Sequence, residues 1–213
     1  MTLRPGAALV LVLLWLGGCH QPQLPAHADW IIHSQLVFLS ADRATERPPL
    51  ARDQFRLFFP YIAGDIYGSP TTGDFINPTL SPDYHFEIDL NRSQAALLAS
   101  LQPTDFSVSY LHIEPAGARV ARLAPMVLQA DGIEPVGRTD WLDGDSRRSL
   151  MLLYLDRPAA ITGSSATVRF SIKSATAGYV WVELQSGAHG DVYTVIPTPA
   201  RLLLAVTPTV PGA

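Results

Sequence analysis

The stretch YHFEIDL, residues 84–90, decides the fold class. Tyr84, Phe86, Ile88 and Leu90 are apolar, and His85, Glu87 and Asp89 between them are polar. A period of two places alternate side chains on opposite faces of an extended chain, so the segment reads as a strand with one face in a core and one in water. ATVRFSIKS (166–174) repeats it, with Ala166, Val168, Phe170 and Ile172 inward and Thr167, Arg169, Ser171 and Lys173 outward. Less regular runs with the same bias are WIIHSQLVFL (30–39), QFRLFF (54–59), FSVSYLHI (106–113), RVARLAPMVLQ (119–129), SLMLLYLD (149–156), GYVWVELQ (178–185), DVYTVI (191–196) and RLLLAV (201–206). LMLLYL and YVWV are apolar on both faces and are expected to lie centrally in a sheet.

Turn chemistry falls between these runs. Asp131-Gly132, Asp143-Gly144 and SGAHGD (186–191) suit tight hairpins, and the 18 prolines punctuate the chain where helices would stop. Nine or ten short strands with turn signals about every ten residues predict an antiparallel β-sandwich, immunoglobulin-like or transthyretin-like. One helix is expected near residues 92–101. Asn91 can cap it, Gln94 follows three residues on, Ala95, Leu97, Leu98 and Leu101 form an apolar face, and Pro103 ends it. The connection from Pro60 to Pro82, rich in glycine, proline and threonine, is the expected functional loop.

The only cysteine of the 213 residues, Cys19, cannot form an intramolecular disulfide or by itself hold a zinc or iron–sulfur site. Before it, Arg4 and the apolar run AALVLVLLWL (7–16) read as a secretory signal, too short for a membrane span of ~20 apolar residues. Leu16-Gly17-Gly18-Cys19 resembles the lipobox of bacterial lipoproteins. The resemblance implies cleavage between Gly18 and Cys19, a diacylglyceryl group on the sulfur and an acyl chain on the new amino terminus. With histidine and not aspartate at residue 20, the enterobacterial version of the family implies passage to the outer membrane. LPAHAD offers the ordinary signal peptidase an Ala26-x-Ala28 site with a start at Asp29, but a dozen residues beyond Leu16, farther than such sites usually sit. The resulting organisation is a signal peptide over 1–18, a lipidated tether over 19–28, a single β domain over 29–208 and a tail over 209–213. About 195 residues after the signal suffice for one substantial core.

The net charge of −4 and the scattered arginines give no basic stripe for nucleic acid. His85, Glu87 and Asp89 lie on one strand face at ~7 Å intervals and could contribute metal ligands, but the plainer reading is the wet side of an amphipathic strand. His112 and Glu114 form a similar pair. In TDWLDGDSRRS (139–149), Asp140, Asp143 and Asp145 are candidate calcium ligands, although their spacing departs from the EF-hand series; Trp141 could stack on a glycan or a partner, or fold over the core. No G-x-S-x-G or glycine-rich phosphate loop is present, and Cys19 belongs to the anchor. The chain is therefore expected to be a non-enzymatic, periplasm-facing outer-membrane lipoprotein without a cofactor. It would be held in membrane lipid through Cys19 and act as an interaction or assembly module for other envelope proteins. The alternative is a calcium- or glycan-binding module; a hydrolase comes third.

Overall fold

A computed structural model describes residues 30–63, 76–91, 110–132, 134–165, 167–187 and 190–208. The signal, Cys19, the tether, the helix expected over 92–101, most of the 60–82 connection and the tail from 209 lie outside these residues.

The described chain is almost entirely β. In order, the strands are β1 Ile31–Leu39, β2 Glu46–Arg47, β3 Phe55–Phe58, β4 Tyr61–Ala63, β5 His85–Asp89, β6 Leu111–Glu114, β7 Val120–Leu123, β8 Met126–Gln129, β9 Arg138–Asp143, β10 Ser149–Leu155, β11 Ala159–Ser164, β12 Val168–Ser174, β13 Gly178–Gly187, β14 Gly190–Ile196 and β15 Leu202–Thr207. A single 3-10 turn, Arg52–Gln54, precedes β3. Thirteen strands form one large mixed sheet whose main path is β2-β1-β15-β9-β10-β13-β14-β12-β11-β6, with β5 added to β1, β7 to β10 and β4 to β7. β3 and β8 form a small second sheet. The arrangement is sandwich-like, as the alternating runs predict.

The hairpins form where the turn residues stand. β9 and β10 pair Leu142 with Ser149 across the Asp143-Gly144 turn, and β13 and β14 close on Gly187 opposite Gly190. At Asp131-Gly132 the chain reverses with Gly132 at φ +77°, a left-handed conformation that costs glycine nothing, and Gln129 N donates to Glu134 O at 2.8 Å.

In two places the sheet departs from antiparallel order. β1 lies parallel to β15, with Leu36 opposite Leu204, and β12 lies parallel to β14, with Phe170 opposite Tyr193. β15 is buried at every position and β1 along its second half, so side chains on both of their faces are withdrawn from water, the setting in which parallel pairs occur.

Alternation along β10 explains the core. Leu150, Leu152 and Tyr154 enter a first cluster with Phe59, Trp141, Trp181 and Ile88, whereas Met151, Leu153 and Leu155 enter a second with Ile161, Phe170 and Ile172. β13 divides likewise, with Tyr179 and Trp181 to the first and Val182 to the second. Both runs thus lie centrally, as their apolarity on both faces predicts. A third, smaller cluster unites Val37, Leu39, Leu142, Leu203 and Ala205 on the other face of β1, β9 and β15.

Some strands differ from the sequence reading. RVARLAPMVLQ is two strands, because Pro125 has no N–H with which to continue a ladder; β7 stays in the large sheet and β8 joins the small one. Tyr61–Ala63, assigned to a loop, is β4. TDWLD, read as part of a polar turn, lies in β9, between β15 and β10.

Candidate functional site

The geometry of β10 creates a concavity lined by charged side chains from three parts of the chain. Along one edge, β10 pairs first with β9, through Ser149 and Leu150, and then with β7, through Leu152 to Leu155. Met151 sits between the two ladders. There β9 leaves β10 while remaining paired to β15, and β7 has ended before Pro125. The fork leaves a cleft of about 460 Å³, in the range of small-molecule sites.

Three arginines from distant parts of the chain line this cleft: Arg43 from the turn between β1 and β2, Arg122 from β7 and Arg138 from β9. One carboxylate, Asp140, lies among them. Its Oδ2 stands 3.3 Å from Arg43 Nη2 and 2.9 Å from Arg138 Nε, and its Oδ1 accepts a hydrogen bond from Arg138 Nη2 at 3.3 Å. The contacts through Oδ2 are ion pairs by distance but off the line of a hydrogen bond; among the described residues, Oδ2 and the buried Arg43 Nη2 have no hydrogen-bonding partner. Arg43 Nη1 donates to Ser149 Oγ at 3.4 Å. Tyr193, also on the wall, has its hydroxyl pKa pushed up by burial; Asp140 and Asp191 push the same way and Arg122 and Arg138 oppose. The hydroxyl therefore stays neutral at physiological pH and can donate or accept. Leu123, Leu150, Met151 and Leu184 supply apolar wall.

The acidic cluster proposed from sequence does not assemble. Asp140 faces the arginines, whereas Asp143 turns inward on its own hairpin, its Oδ1 accepting the N–H groups of Asp145 at 3.0 Å and Ser146 at 2.7 Å. Asp145 is exposed. Among the described residues, no three His, Cys, Asp or Glu side chains stand close enough to share a metal ion. Trp141 is a correction of the same kind. It is only 1% exposed, with its ring 5.5 Å from Phe59 and 5.6 Å from Trp181, so it is core and offers no face to a glycan at the surface.

His85, Glu87 and Asp89 form the outward side of β5, with His33 Nδ1 3.5 Å from Glu87 Oε2 and His85 Nε2 3.5 Å from Asp83 Oδ2. His112 and Glu114 are exposed on β6, which pairs with β11, while β5 pairs with β1, so the two sets do not converge.

Sequence reasoning missed Arg43, Arg122, Arg138 and Tyr193 as a group because no local motif joins residues so far apart. Arg122 alone carried a signal: a charge inside RVARLAP, where both neighbours are apolar.

Fold and site together define a mostly β, sandwich-like protein with a basic cleft at a fork in its main sheet. No family model, no curated protein and no solved structure matches the chain.

Proposed function

We propose that this chain is a lipid-anchored module of a bacterial envelope that works by holding other envelope proteins and not by catalysis. The observation that carries the reading is Leu16-Gly17-Gly18-Cys19 directly behind the apolar run 7–16. A thioether-linked diacylglyceryl group and an amide-linked acyl chain at Cys19 give more than one lipid signal, which is what stable anchoring takes at ~0.8 kcal/mol per buried methylene. Residues 20–28, with two prolines and little to bury, space the folded body from the bilayer on the side that faces the periplasm.

The strand order supports contact as the mode of action. Among the described residues β6 pairs with β11 and stands at the end of the sheet's main path, with His112 and Glu114 exposed on it, and the end of a sheet is where a partner strand would add.

Three measurements test this. Mass spectrometry of the natural product should find a triacylated amino terminus at Cys19, and Cys19→Ala should move the protein from the detergent phase to the aqueous phase. A bare terminus at Asp29, or a Cys19→Ala form still in detergent, removes the anchor. Cross-linking in intact envelopes should give a defined adduct that the surface substitutions His112→Lys and Glu114→Lys abolish; an adduct indifferent to them removes the β6 edge as the contact.

A further inference from the structure

The fork cleft carries an inference independent of the anchor. Asp140 has one negative charge to set against the positive charges of Arg43 and Arg138, so the trio alone retains a formal +1, and Arg122 adds a further guanidinium to the wall. Asp140 stands partly out of water, its side chain 18% exposed, and Arg43 is only 33% exposed. Charges withdrawn from water are costly unless their hydrogen-bonding capacity is met, and here Arg43 Nη2 is buried with a donor unspent. A guanidinium's natural complement is a planar or tetrahedral oxyanion, bound through two parallel N–H groups. Leu150, Met151 and Leu184 make part of the remaining wall apolar, beside the polar Thr139 and Ser149, and the cleft's volume exceeds that of a bare inorganic ion.

We propose that the cleft between β7, β9 and β10 binds a small organic oxyanion, a carboxylate or a phosphate ester, with its charged head on Arg43 and Arg138 and its apolar part against the aliphatic wall. The Tyr193 hydroxyl, neutral at physiological pH, is available to the ligand as a donor. Nothing in this requires a covalent step: the site recognises charge joined to an apolar body.

The test uses the full chain in detergent and three probes of one shape: benzoate, phenyl phosphate and the neutral benzamide, each at an ionic strength matched with chloride. Benzoate or phenyl phosphate should raise the thermal midpoint saturably, as a ligand that binds only the folded state must, while benzamide should not. A response to phenyl phosphate alone assigns the site to phosphate esters, and one to benzoate alone assigns it to carboxylates. Arg138→Gln, at a side chain 71% exposed and with its fold checked by circular dichroism because it also pairs with Asp140, should weaken binding about tenfold, the order expected for loss of one charge-assisted contact. Arg43→Gln should do the same. Equal shifts from benzamide, no shift beyond chloride, or unchanged affinity in both arginine variants would overturn the proposal.

Discussion

Asp143 shows how much a single side chain does before any site is considered. It ends β9, and its carboxylate gathers two backbone N–H groups of the turn that leads into β10. The Ser146 N–H foremost, helped by the Ser146 hydroxyl, the Asp145 N–H and the charge of Arg148, holds its pKa below the ordinary aspartate value against the opposing effect of partial burial. In the unfolded chain the same group titrates near ~3.9. Because the folded value is lower, the stabilisation is complete above the unfolded value and is lost as the pH falls through the folded one. Asp143→Ala should therefore cost about 1 kcal/mol in urea denaturation at pH 7, in line with a lost turn-capping hydrogen bond. The gap between wild type and variant should close as the pH is lowered through the acid range. A gap that persists undiminished to pH 2 would show that the carboxylate's charge is not what holds the turn.

At the scale of the element, β11 depends on one residue without a side chain. Gly163 lies opposite Leu111 of β6 at φ +146°, a region almost reserved for glycine, and a Cβ built there would stand 1.8 Å from the Tyr110 carbonyl oxygen. Gly163→Ala should lower stability by roughly 2–3 kcal/mol, because backbone and not a yielding side chain blocks the space. Gly132→Ala, in a turn with nothing within 4 Å of its Cβ position, should cost only about 1 kcal/mol for the left-handed backbone. Thermal midpoints of the two variants compare them directly, and equal losses would mean that β6 yields to the added methyl group. Elements were legible in the sequence wherever one face is wet. YHFEIDL gave β5 with Phe86 and Ile88 buried and His85 and Glu87 exposed, although Tyr84 stays outside the strand, at φ +66°. β9 was not legible. Asp140 and Asp143 suggest a loop, and only the pairing with β15 on one side, the arginines around Asp140 and the turn around Asp143 make such letters compatible with a central strand. β2 and β4 have two and three residues, too few for a period to register.

Across the whole molecule, β10 binds the two larger cores into one cooperative unit. Leu152 is fully buried in the first and Leu153 in the second, on opposite faces of the same strand. Truncating either to alanine should cost about 3–5 kcal/mol. The three described tryptophans all report on the first core: Trp141 and Trp181 within it and Trp30 against it. Leu153→Ala, made on the far face, should nevertheless lower the tryptophan fluorescence midpoint as much as Leu152→Ala does, and fluorescence and far-ultraviolet circular dichroism should report coincident transitions. Separate transitions would show that the cores melt independently.

The sequence by itself determined the β class, the hairpin turns at Asp131-Gly132, Asp143-Gly144 and residues 186–191, and the central place of LMLLYL and YVWV. These depend on alternation and turn geometry, which act over a few neighbouring residues. Tertiary structure decided the parallel pairing of β1 with β15, the burial of Trp141 and the cleft where Arg43, Arg122, Arg138 and Asp140 meet. These join residues scores of positions apart, and their proximity follows from strand order, which no short-range period encodes.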